Sequence, residues 1–252
     1  MIISKLISLI IALVCLANGA HAALSCKDYD LTVPCADVPK CDGNKNFATL
    51  TDFKVSDSMS DVPAKQNTTV KICYSPNKHF KVHTVAQDVD VFSPYTSCNS
   101  QVWVNSDVLE VFMAPTATPF NAPIWYYEMD TSPSNAMWVG HKNNSRGNWS
   151  NCNDNDDCVA GPIECAGLDS FPQFPPLGAK VQNISSTGWG VELTVPFEMF
   201  PPKYQDSRIW RANFYRYDYP ENREKYELSG WSPTHDPSFH VPQRFGVMVL
   251  ES

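Results

Sequence analysis

The amino-acid sequence predicts an all-β fold, an antiparallel β-sandwich with jelly-roll or immunoglobulin-like layers, stapled by disulfides. Short segments along the chain alternate apolar and polar residues, the period of a strand with one buried and one wet face. Twenty prolines and seven tryptophans among 252 residues suit short strands joined by many turns, because proline removes a backbone donor from any helix or ladder it interrupts. Nine cysteines are present, and eight remain once a leader containing Cys15 is set aside, an even number suited to cross-linking.

Taken in order, Met1 to Ala22 reads as a signal peptide. Lys5 gives a positive start, Leu6 to Leu16 an apolar run shorter than the ~20 residues a bilayer needs, and Ala20-His21-Ala22 a small-residue cleavage site. No later segment is apolar enough to insert in a membrane and no lipid-anchor tail follows Ser252, so a secreted, extracellular product is expected. Residues 23–67 form a disulfide-tied N-terminal arm with the first strands, in which Cys26, Cys35 and Cys41 are close enough to staple. Residues 68–252 form the sandwich proper, and 23–252 is expected to be one domain. Cys152 with Cys158 or Cys165 pinches a later loop, although eight cysteines allow 105 pairings. Sequons at Asn67, Asn143, Asn148 and Asn183 mark surface loops of a glycoprotein.

Thr68 to Tyr74 and His79 to Ala86 read as two strands joined at Ser75-Pro76-Asn77-Lys78, a hairpin signature. Asp107 to Ala114, Ile124 to Asp130 and Ala136 to His141 follow as strands, then a long irregular insertion from Gly140 to Pro175, then Val181 to Ile184 and Trp189 to Val195. Pro196 to Phe200 is the one helical turn expected. From Trp210 the chain alternates again, Trp210, Ala212 and Phe214 on one face and Arg211, Asn213 and Tyr215 on the other. Pro233, Pro237 and Pro242 make Gly230 to Pro242 a folded-back loop carrying aromatics, and Val247 to Leu250 closes the fold. This gives roughly nine strands, within the range of sandwiches and jelly rolls. Trp189 and Trp210 belong to the core by their place in alternating strands.

The formal net charge of −8, one unit more acidic without Lys5, argues against nucleic acid and anionic membrane surfaces as partners, since both need a basic footprint. There is no Gly-x-Ser-x-Gly elbow and no His-Glu-x-x-His. Glu110, Glu128 and Glu192 are available carboxylates, but nothing in their spacing marks two of them as a glycosidase pair, and no enzymatic activity is expected.

Several blocks together resemble the family 9 carbohydrate-binding modules, their secreted eukaryotic relatives most: Ser106 to Phe112 (SDVLEVF), Tyr127-Glu128-Met129, Gly188 to Phe197 (GWGVELTVPF), Trp210 to Arg216 (WRANFYR) and Phe239 to Gly246 (FHVPQRFG). They run in family order from about Thr68 to Leu250. The resemblance implies a sandwich of two antiparallel sheets related to the DOMON type, structural calcium, and a polysaccharide or glycan gripped between two aromatic side chains, with a link to carbohydrate catabolism. It places Trp103 at one wall, Phe239 where sugar-binding members carry a tryptophan, Glu110 at a hydroxyl-accepting carboxylate, and Glu128 where such a member has a basic residue.

The chemistry agrees with that set, because a pyranose offers apolar C–H faces to flat rings and equatorial hydroxyls to fixed polar groups. Each residue also has a structural reading: Trp103 as packing for the loop after Cys98, Phe239 as a plug beneath the proline-rich loop. Asp88 and Asp90 are the candidate calcium ligands the resemblance points to, and Asn153, Asp154, Asp156 and Asp157 read as a solvated acidic loop. His235 and His240 have loop hydrogen bonding as their default. Two other functions fit the same sandwich: an extracellular interaction protein with a lost sugar site, and a DOMON-like haem domain with Met113 or Met129 and a histidine as axial ligands.

Overall fold

The computed structural model describes residues 24–43, 45–97, 99–143, 159–162, 178–220 and 225–252. The expected leader, Cys98, the later cysteines 152, 158 and 165, the acidic run around Asp154 and the sequon at Asn148 lie outside the described residues. The strands are β1 (Cys35–Val38), β2 (Ala48–Leu50), β3 (Lys54–Val55), β4 (Thr68–Ser75), β5 (His79–Gln87), β6 (Val108–Thr116) and β7 (Trp125–Thr131). They continue with β8 (Met137–Asn143), β9 (Val159–Pro162), β10 (Gly178–Ser185), β11 (Gly188–Pro196), β12 (Ile209–Asp218), β13 (Glu227–Gly230) and β14 (Gly246–Leu250). The helical elements among the described residues are three-residue 3₁₀ turns, one of them Phe197–Met199, where a single turn is expected.

Two sheets form. One runs β1-β14-β12-β6-β7-β8-β9, with β13 sharing a side of β12 and carrying β3; the other runs β10-β11-β5-β4-β2. Among the described strands, all pairings are antiparallel except β1 on β14. The β4–β5 hairpin closes as its sequence requires, with Asn77 in the left-handed region (φ 57°) and the Lys78 N–H donating to the Ser75 carbonyl at 3.0 Å.

The core lies between the sheets. Val70, Ile72, Phe80 and Val82 from one sheet meet Leu109, Val111, Met113, Met129, Trp210, Ala212 and Phe214 from the other. Trp189 and Trp210 are in this core, 1% and 0% exposed.

The N-terminal arm is tied twice. Cys26–Cys35 closes a nine-residue separation, and Tyr29, Leu31 and Val33 pack on Ile209, Val247 and Val249 at the outer face of β14. Cys41–Cys73 then links the chain to β4 of the second sheet. The nine expected strands are all present; residues 23–67, where the first strands are expected, carry β1, β2 and β3, while β9 and β13 are additional, and β9 with the end of β8 lies inside the segment expected to be irregular.

Candidate functional site

The candidate site is the outer face of the larger sheet. Because successive side chains alternate, the strands that send Leu109, Val111, Met129, Val139, Ala212 and Phe214 inward turn Glu110, Phe112, Tyr126, Glu128, Asp130, Trp138, Lys142, Tyr215 and Tyr217 outward. This face is not left to water. The loop after β13 folds back over it, held by Asn213, whose amide donates to the Ser232 carbonyl at 2.7 Å and accepts the Ser232 N–H at 3.0 Å. Arg211 holds the same loop further along: its guanidinium donates to the carbonyls of Phe245, Gln243, Pro242, Pro119 and Asn121, and burial lowers its pKa to about 10.

Two aromatic clusters result. One contains Phe112, Tyr126, Tyr215, Phe239 and Phe245; the other contains Val102, Trp103, Val108 and Trp138, and Tyr217 touches both. Trp138 lies across Gly140, where an added Cβ would meet the ring at 2.0 Å, so only glycine lets the indole lie down on its strand. Trp103 meets Trp138 edge-on at 5.1 Å, and the Lys142 ammonium sits 5.1 Å from the Trp138 ring.

On the same face lie three carboxylates. Glu110 faces Asp130 across the β6–β7 ladder, Glu128 precedes Asp130 by two residues, and one oxygen from each lies within 4.8 Å of the others. Lys142 pairs with Glu128 at 3.3 Å. Burial first, and then mutual repulsion, push Glu110 and Asp130 well above the usual carboxylate range. The Tyr126 hydroxyl meets His240 Nδ1 at 2.6 Å, and the His240 ring stacks on Phe112 at 5.3 Å.

Of the residues expected from the sequence, Glu110 and Glu128 come together, with Trp103 in one flanking cluster and Phe239 in the other. Trp103 is half-buried and accepts the Tyr219 hydroxyl on its carbonyl. Phe239 is 3% exposed and stacked on Tyr215 at 4.1 Å, the geometry of a plug. Glu192 sits on the other sheet and accepts from Gln182 at 2.9 Å. Met113 and Met129 are fully buried in the core. His235 bonds the Ser58 carbonyl at 2.6 Å. Sequence reasoning missed Asp130, Trp138 and Lys142. The alternation of AMWVGHK does put Trp138, Gly140 and Lys142 on one face, but which neighbours they meet depends on register.

Asp88 is gathered with Asp107 and Asp218, and Asp90 contributes its N–H to Asp88 rather than its carboxylate to the group. Arg216 spans Asp88 and Asp218 at 3.1 and 3.0 Å. Gln66 donates to both Asp218 oxygens, and the Phe92 and Tyr219 N–H groups donate to the two oxygens of Asp107. Every carboxylate oxygen here has a protein donor, and Arg216 already supplies a cation to the group.

Burial, with added repulsion from Asp88 and Asp218, raises Asp107 to about 7 against the pull of its two N–H donors. The folded protein therefore keeps this proton to near neutrality, whereas the unfolded chain loses it near the ordinary value of 3.8. The stability from this group is complete below that value and is lost as pH rises to 7, at about 1 kcal/mol per pH unit. Urea midpoints measured from pH 4 to 7 are expected to fall less steeply for Asp107→Asn than for wild type; parallel slopes would refute this.

No family model matches the chain, and no curated protein matches it in sequence. Among solved structures, a candidate carbohydrate-binding protein from Bacteroides uniformis superposes with a TM-score of 0.60 at 16% identity, covering 88% of this chain and 98% of that one. The chain shares its fold. A family 9 carbohydrate-binding module from Caldicellulosiruptor kristjanssonii, solved with cellotriose, gives a TM-score of 0.50 at 13% identity, covering 86% and 94%. The likeness supports a family 9-like sandwich of paired sheets.

Proposed function

We propose that this chain is a secreted, non-catalytic carbohydrate-binding protein whose site is the outer face around Glu110, Glu128, Trp103, Trp138 and Tyr217. The observation that carries the reading is the gathering of carboxylates between two aromatic clusters on one sheet face. Rings supply stacking surface for a sugar's C–H faces, and carboxylates accept its hydroxyls. The fold shared with carbohydrate-binding proteins supports the reading.

Purified mature protein is tested against soluble and insoluble polysaccharides, with hydrolysis products followed on the same panel. Binding without cleavage is expected, and Trp103→Ala should weaken it by about 1–3 kcal/mol, the loss expected for one stacking ring. A second reading has its own support: Phe239 is buried face-on against Tyr215 instead of standing as an open wall, which suits an extracellular interaction protein built on the same fold. Folded protein that binds nothing on the panel would favour it.

A further inference from the structure

Two groups of three carboxylates occur among the described residues, and they differ in how they are satisfied. Around Asp88 each oxygen accepts from a protein donor. In the Glu110 group, both oxygens of Asp130 are fully buried and have no hydrogen-bond partner. One of them is also aimed into the group, since Asp130 pairs across the ladder with Glu110 and contributes one oxygen to the set within 4.8 Å. A buried acceptor without a donor is rare in a folded protein and points to a group that the chain alone does not supply.

From this geometry we propose that Glu110, Glu128 and Asp130 form a binding site for a hard divalent cation of calcium's chemistry. The charges balance in the ion-bound state: with all three ionised, the carboxylates stand against the ammonium of Lys142, 3.3 Å from Glu128, so a doubly charged ion brings the group to neutrality. The spacing fits, because oxygens on opposite sides of calcium, each about 2.3–2.6 Å from it, stand about 5 Å apart. An all-oxygen set favours calcium, magnesium or manganese over softer metals. Water completes the coordination. Sugar hydroxyls would replace some of that water where the carbohydrate reading holds, but the metal site does not rest on that reading.

The test uses EDTA-treated full-length mature protein at neutral pH without any glycan, titrated with calcium, magnesium or manganese chloride by calorimetry and thermal melting. At least one ion is expected to bind with a one-to-one stoichiometry and raise the melting temperature. Asp130→Asn is expected to weaken that binding at least about tenfold and, because an amide removes the repulsion, to melt higher than wild type in EDTA. Wild type that binds none of the three ions overturns the proposal, and so does Asp130→Asn that binds as tightly as wild type. Loss of binding in Asp88→Asn alone would also overturn it, by moving the ion to the other group. Metal binding that survives while the polysaccharide panel stays negative would sink the carbohydrate reading and leave this one standing.

Discussion

Arg211→Lys is expected to destabilise the protein by about 3–5 kcal/mol, measured as the shift in urea unfolding free energy at neutral pH. The buried guanidinium donates to five carbonyls from two separate segments, Pro119 and Asn121 before β7 and Pro242, Gln243 and Phe245 before β14. A lysine keeps the charge but offers three donors from a single point in place of a planar fork, so it satisfies only some of these carbonyls and leaves its ammonium poorly solvated. Arg211→Met should cost a comparable amount by leaving all five acceptors without this donor. A loss under about 1 kcal/mol for both variants would mean that the loop is held mainly by the Asn213–Ser232 pair.

Trp210→Ala should cost about 3–5 kcal/mol, the range for truncating a large buried aromatic. The indole is 0% exposed and packs on Phe80 at 4.8 Å, Phe200 at 4.7 Å and Phe197 at 5.6 Å, joining the larger sheet to β5 of the other and to the turn that follows β11. Its Nε1–H donates to the Ser207 carbonyl at 2.9 Å, so truncation opens a cavity and removes a donor together. Because three aromatic neighbours from two segments, β5 and the turn after β11, border that cavity, collapse into it is limited. A Trp210→Phe variant that recovers most of the loss would confirm that packing dominates; no recovery would assign the cost to the Ser207 bond.

The long alternating strands were legible because each carries enough residues to show its period. Trp189, Val191, Leu193 and Val195 point inward from β11 much as the pattern requires, Trp189 and Val195 most completely. The short strands were not: β3 has two residues and β13 four, too few to distinguish a strand from a loop, and both exist because β12 offers an unpaired edge beyond the end of β14. The site divided in the same way. Glu110 and Glu128 could be named because the family resemblance places them, but their meeting with Asp130 depends on the β6–β7 register, which is set between strands rather than within one. Phe239 shows the limit from the other side: an aromatic in a proline-rich loop is visible in the sequence, while its face-on stacking against Tyr215 depends on where the loop lands.

The parallel pairing of β1 with β14 has a mechanical consequence. Cys35 lies beside Val247 and Val38 beside Leu250, so the start of the first strand and the end of the last point in opposite directions along one ladder. Tension entering at Cys35 and leaving at Leu250 would load those inter-strand bonds in shear, sharing the force among them instead of peeling them one at a time. The Cys26–Cys35 bridge makes the first residue of that ladder the point where pulling on the arm would be felt.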